Sequence, residues 1–252
     1  MLKEIFYGNY KVFYKVVGSE NAPILVCLHG WGGGLNSFAS LEPFLSPKYK
    51  LIIPELPCFQ KTDTREPNFA YSLTDYANIV ADILKNEGVS NFKNDGAHDD
   101  ANVSNYSILA HSFGARVAVQ PELTATSYII TGGAGLPPKF NFKTYLKIKL
   151  HKFFKIGRGS RDWQNLTPNG KQTFNNIRVD LTENYKSIDK PTLLIWGAGD
   201  NETPLYMGKA INSLIKTSSL TVYEGAKHFC FIDEPMRFAN DVLLFLKAWH
   251  RV

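Results

Sequence analysis

Cysteine is scarce: Cys27, Cys58 and Cys230 are the three in 252 residues, and no two of them form a C-x-x-C pair. That spacing excludes a disulfide scaffold and a thiolate zinc site, and an odd, sparse set suits a reducing compartment. Long hydrophobic runs are also missing. No stretch approaches the roughly 20 apolar residues of a spanning helix. Met1 to Tyr7 lacks the apolar core of a secretion signal. A cytoplasmic protein without stable membrane insertion is expected. Strong charge of one sign is absent: 28 Lys and Arg against 23 Asp and Glu leave a net charge of +5, with 44% hydrophobic residues. That balance does not argue for a nucleic-acid partner. It is ordinary globular composition, and the chain is long enough to bury a core without staples. There is no internal repeat and no low-complexity segment.

What is present is a rhythm. Short apolar, β-prone runs (Ile24–Leu28, Lys50–Pro54, the run from Tyr106, Tyr128–Thr131, Thr192–Trp196 and Leu220–Tyr223) alternate with stretches of helical spacing. Continuous apolar runs suit strands covered on both faces, and their alternation with helices predicts a mostly parallel central sheet with helices on both sides, an α/β fold. Ahead of it, Lys11–Val17 pairs with Glu4–Tyr7 as a hairpin across Gly8-Asn9. Helices are predicted over Ser37–Leu45, Ser72–Leu84, Tyr206–Ile215 and Met236–Trp249. Ser72 is the N-cap of the second and Asp75 lies in its first turn. The last helix has Ala239, Val242, Leu243, Leu246 and Trp249 on one apolar face.

The chain is organised around Tyr106 to Val117, YSILAHSFGARV. A strand-like run becomes helix-like at Ser112, with Ala110 two residues before it and Gly114 two after. That is the strand–turn–helix spacing of a nucleophile elbow, where a sharp turn strains the serine and leaves no room for bulky side chains at Ala110, Gly114 or Ala115. In open parallel sheets ligands bind beyond the carboxyl ends of the strands. Here those ends deliver His29-Gly30-Trp31-Gly32-Gly33-Gly34, then Ser112, then the loop holding Asp200, then the loop holding His228. A serine hydroxyl needs a base, a histidine can take the proton near neutral pH, and a carboxylate fixes the histidine tautomer.

Four segments resemble the α/β-hydrolase family: His29-Gly30-Trp31; Ala110-His111-Ser112-Phe113-Gly114; Gly197-x-x-Asp200-x-x-Thr203-Pro204; and His228-Phe229 followed by Glu234-Pro235. The order Ser, Asp, His is that family's order. The resemblance spans about Ile5 to Leu246. It implies Ser112 as nucleophile, His228 as base and Asp200 as orienting acid, with the backbone N–H groups of Trp31 and Phe113 as oxyanion hole. It implies no metal and no cofactor. The expected activity is cleavage of a small-molecule acyl substrate, an ester or thioester, through an acyl-enzyme. C–C bond hydrolysis by the same triad and a silent hydrolase-fold binding protein stand as alternatives. A serine at the elbow argues against the dehalogenase and epoxide-hydrolase branches, which need a carboxylate nucleophile.

Glu55-Leu56-Pro57-Cys58-Phe59-Gln60 resembles a family turn with glycines where Cys58 and Gln60 stand. His29 reads as structural, His111 as the variable elbow position and Cys230 as apolar filler. The glycine-rich stretch after Leu28 only loosely imitates a dinucleotide site, since its third glycine falls on Leu35. Asp95, His98, Asp99 and Asp100 match no calcium loop and read as a solvated surface segment. The expected division is a hydrolase core over 1–136 and 191–252 with a short helical lid over 137–190. Between Lys139 and Arg161 the lid carries eight Lys or Arg residues and no Asp or Glu. Its basic face is expected to make weak contact with anionic substrates or surfaces.

Overall fold

A computed structural model describes residues 1–58, 69–89, 106–137 and 167–249. These form an eight-stranded sheet: β1 (Leu2–Tyr7), β2 (Tyr10–Val17), β3 (Ile24–Leu28), β4 (Lys50–Pro54), β5 (Tyr106–His111), β6 (Tyr128–Thr131), β7 (Thr192–Gly197) and β8 (Ser218–Tyr223). The spatial order is β1-β2-β4-β3-β5-β6-β7-β8. β1 and β2 form the expected hairpin with Tyr7 opposite Tyr10, and Gly8 takes φ +58° in the turn. β2 runs antiparallel to β4, and every pairing from β4 across to β8 is parallel.

The parallel strands inside the sheet, β3 to β7, are buried on both faces, which explains their apolar runs, whereas the edge strand β8 is half-buried and opens with Ser218-Ser219. With side chains alternating along each strand, Val26, Leu28, Ile52, Ile108, Ala110, Ile130, Leu194 and Trp196 face one core cluster. Leu25, Cys27, Leu51, Ile53, Leu109, Ile129, Leu193 and Ile195 face the other. The first is covered by α2 (Leu73–Asn86), α3 (Phe113–Ala118) and α6 (Leu205–Leu214), the second by α1 (Glu42–Leu45), α7 (Cys230–Asp233) and α8 (Pro235–Trp249).

Helix ends follow local chemistry. Ser72 caps α2 through a capping box: its Oγ accepts from Asp75 N at 3.2 Å while Asp75 Oδ2 accepts from Ser72 N at 2.8 Å. The helix expected over Ser37–Leu45 is shorter. Only Glu42–Leu45 is helical, because the chain before it closes tight turns such as Ser37 N to Gly34 O and Leu41 N to Phe38 O. In α8 the buried residues are Phe238, Ala239, Val242 and Leu246, whereas Trp249, expected on that face, is exposed. The core cluster beneath the helix ends at Leu246, so its last turn has nothing to pack on.

At the N-terminal ends of the strands, Glu87 gathers Lys3 Nζ at 2.8 Å, Lys50 Nζ at 2.7 Å and the Tyr14 hydroxyl at 2.7 Å. That cluster ties the end of α2 to β1, β2 and β4. A cavity of about 600 Å³ opens on this side of the molecule too, lined by Pro23, Lys48, Tyr49, Asn240, Leu243, Leu244 and Lys247. It lies away from the reactive side chains, at the opposite ends of the strands.

Candidate active site

β5 ends directly in Ser112, which adopts φ +52°, ψ −110°. A serine at positive φ costs on the order of 1–3 kcal/mol and persists only where its surroundings hold it. Here they do. Ser112 N donates to Thr131 O, and Ser112 O accepts from Ala115 N and Ala134 N, each at 3.1 Å. Gly114 lets α3 lie against β3, since a Cβ there would sit 2.2 Å from the carbonyl oxygen of Leu28. The sequence spacing thus predicts the strained turn and the lack of room at Gly114.

Asp200 follows β7 and His228 follows β8. Asp200 Oδ2 lies 2.8 Å from His228 Nδ1. A carboxylate only accepts, so Nδ1 carries a proton, and in the neutral ring Nε2 is then the bare acceptor. The carboxylate is held from every side: Oδ1 accepts from the amides of Glu202 and Thr203 at 2.9 Å each, and Oδ2 accepts from the Thr203 hydroxyl at 2.9 Å. Burial alone would raise the Asp200 pKa. The His228 hydrogen bond and the Thr203 contacts outweigh it and hold the carboxyl below its usual range. Gly132, at φ +54°, makes room for the pair, because a Cβ there would lie 3.0 Å from His228 Nδ1. Among the described residues no hydrogen bond joins His228 to Ser112 Oγ.

The loop after β3 passes over the elbow. A Cβ on Gly30 would lie 3.2 Å from Ser112 Cβ and 2.8 Å from His111 Nδ1. The rings of Trp31 and Phe113 meet edge to face at 5.5 Å, so the two residues whose amides were singled out are neighbours. His29 is fully buried. Its Nε2 accepts from Leu56 N at 3.0 Å and its Nδ1–H donates to Gly30 O at 2.8 Å, while burial pushes its pKa down to about 4. It is a neutral strut, as expected. Cys58, in the turn that resembles a glycine turn, keeps a left-handed conformation at φ +74° despite its side chain.

The expected lid spans 137–190. Its basic run from Lys139 to Arg161 lies outside the described residues, as do Gln60, Asp95, His98, Asp99 and Asp100. Its described part holds α4 (Pro168–Asn176) and α5 (Thr182–Lys186). Phe174 packs edge to face on Trp31 at 5.1 Å, and Arg116 of α3 donates to the carbonyls of Ile177 and Val179. Two residues at the site were missed as functional. Thr203 was legible, because Asp-x-x-Thr is a spacing at which a carboxylate caps its own turn. Nothing local pointed to Gly132. Among the described residues no cluster of His, Cys, Asp or Glu is placed to hold a metal, and no helix is long and apolar enough to cross a membrane.

A strained serine, an aspartate and a histidine thus stand at one rim of a mostly parallel sheet. Residues 25–242 match the alpha/beta hydrolase family, and the chain belongs to it. It is similar to an uncharacterized hydrolase, YugF of Bacillus subtilis, at 22% identity over 98% of both chains. A 2-hydroxy-6-oxononadienedioate/2-hydroxy-6-oxononatrienedioate hydrolase of Burkholderia vietnamiensis is 23% identical over 94% of this chain and 91% of its own. Among solved structures, a bacterial membrane phospholipase A superposes with TM-score 0.78 at 19% identity, covering 100% of this chain and 87% of the other. The protein is thus a hydrolase of the α/β fold.

Proposed function

We propose that the protein is a serine hydrolase that cleaves a small ester or thioester through an acyl-enzyme. Ser112 Oγ attacks the acyl carbonyl carbon and its proton passes to His228 Nε2. The carbonyl oxygen, now an oxyanion, is met by the amides of Trp31 and Phe113. The leaving alcohol or thiol departs with the proton from His228, and water activated by the same nitrogen then frees the acid. Asp200 orients the imidazole and stabilises its charged form. The observation that carries this reading is the Asp200–His228 pair, its tautomer set by a fully bonded carboxylate, on the same sheet rim as a serine strained into an elbow.

The stretch 137–190 is read as a short lid over this site, supported by the contact of Phe174 with Trp31. Its basic run favours anionic acyl groups in this reading, and the three free cysteines fit a cytoplasmic setting. A second reading, C–C bond hydrolysis with the same residues, draws support from the Burkholderia relative named above.

The test is a fluorophosphonate probe followed by peptide mapping, with Ser112→Ala as control. Activated esters of increasing acyl length and a 2-hydroxy-6-oxo-dienedioate are then compared as substrates. Labelling of Ser112 with ester turnover supports the main reading, and turnover of the dienedioate alone supports the second. A folded protein that takes no label leaves a silent hydrolase-fold binding protein.

A further inference from the structure

His111 occupies the elbow position that resemblance leaves variable. It is 2% exposed and meets the Gly30 loop, the His228 loop and the first turn of α7 at once. Its Nε2 lies 3.1 Å from the main-chain oxygen of His228. Its ring stacks at a tilt on the His228 ring, 4.7 Å between centroids, and touches Phe229 at 4.8 Å and Phe231 at 5.0 Å. On its other side Nδ1 sits so near Gly30 that a Cβ there would approach it to 2.8 Å.

The chemistry of these contacts is determined. A carbonyl only accepts, so Nε2 carries the proton and Nδ1 is bare. Burial holds the imidazole pKa down at about 3, so the ring stays neutral beside a base that must become cationic during turnover. An apolar residue would fill the same space without the cost of burying a polar ring. What histidine adds is one hydrogen bond to the base's own backbone.

We propose that His111 is a positioning residue for the catalytic base: its Nε2–H anchors the His228 carbonyl, and its ring wedges the base loop against the Gly30 loop so that both keep one register over Ser112. This rests on the reading of His228 as base. The role acts on geometry during reaction, so it should appear in kcat more than in KM.

The experiment compares His111→Gln, His111→Asn and His111→Phe with wild type on an activated ester, with kcat expressed per Ser112 titrated by fluorophosphonate. Glutamine reaches the place of Nε2, asparagine stops at that of Nδ1, and phenylalanine keeps the ring without a donor. The expected result is His111→Gln within about threefold of wild type. His111→Asn and His111→Phe should lose roughly 10- to 100-fold in kcat, with KM within about threefold, because small misplacement of a catalytic group costs on that order. Full kcat per site in His111→Asn and His111→Phe, or a His111→Gln as slow as His111→Phe, overturns the proposal. Nitrogen NMR of the wild type needs no variant to fold. A proton on Nε2 of His111 supports the anchor, and a proton on Nδ1 overturns it. His228→Ala separates this from the parent reading. An active His228→Ala removes both, whereas an inactive His228→Ala beside a fully active His111→Phe removes only the role of His111.

Discussion

Replacing Asp200 by asparagine keeps the shape of the side chain and changes what its two atoms can accept. In the native structure one oxygen takes two backbone N–H groups, from Glu202 and Thr203, and the other takes the Thr203 hydroxyl and His228 Nδ1–H. Asparagine can put its single oxygen on only one side. Facing the oxygen to His228 turns the NH2 onto two amide donors, and the buried one, of Thr203, then loses its acceptor at about 1–3 kcal/mol. The favourable choice therefore leaves the oxygen with the amides and points the NH2 at His228. Nδ1 must then accept, so the proton moves to Nε2, the nitrogen that should receive the proton of Ser112. The expected loss is roughly 10⁴-fold in kcat with the fold retained, the magnitude seen where a triad histidine is held in the wrong tautomer. Steady-state kinetics on an activated ester, normalised to active sites, measures it, and a thermal melt checks the fold. A folded Asp200→Asn within tenfold of wild type would refute the assignment of Asp200 as the orienting acid.

Other outcomes follow from the same structure. Gly114→Ala places a Cβ 2.2 Å from a backbone oxygen of β3. It should destabilise by about 3 kcal/mol, the upper end for overpacking, and lower Tm by several degrees; an unchanged melt would show that α3 can move away. Burial alone would raise the Glu87 pKa, but hydrogen bonds from Lys3, Lys50 and Tyr14 outweigh it and hold the carboxyl down, from 4.5 to about 2. A depressed carboxylate stabilises the fold above its unfolded pKa, and that contribution is lost as pH falls from about 4.5 towards 2. After a discount for screening near the surface, Glu87 should contribute about 2 kcal/mol at neutral pH. The stability gap between wild type and Glu87→Gln in denaturant titrations should therefore close between pH 6 and pH 2. If Lys147, Lys149 and Lys152 act in substrate choice, changing them to Gln should reduce the preference for anionic over neutral esters. The preference in wild type should fall at 1 M salt, where the Debye length is about 3 Å, and a ratio indifferent to both would leave the basic run without that part.

The strands were legible because burial on both faces writes itself as unbroken apolar runs. Ile24–Leu28, Lys50–Pro54 and Tyr128–Thr131 match the structure residue for residue. The second helix was legible from its cap, since Ser72 and Asp75 satisfy each other within four residues. The amphipathic pattern of the last helix was a weaker guide. Helical spacing puts Trp249 in line with Leu246, but periodicity does not say where the partner surface stops, and the core beneath stops first. The short α1 eluded the pattern for a related reason. A run of four-residue turns from Gly34 to Leu41 can carry apolar residues at helix-like intervals without forming an α-helix.

At the site, what spacing reveals is the part of each function that is local. Ser112 needs Ala110 and Gly114 close by in sequence, and Asp200 needs Thr203, so both can be read from a few residues. Cys58 shows the limit. Its residue type argues against a left-handed turn, yet it holds φ +74°. The turn is fixed from elsewhere: Leu56 N donates to His29 Nε2 across 27 residues, and the Pro57 carbonyl accepts from the Tyr76 hydroxyl. Tertiary hydrogen bonds on both preceding residues outweigh a local preference on the order of 1–2 kcal/mol. His111 is the same case with more at stake. Its contacts reach forward 117 residues to the carbonyl of His228 and back to Gly30. No window around the elbow contains that information, and so His111, one of the two elbow positions that spacing leaves free, is held by contacts the local sequence does not show.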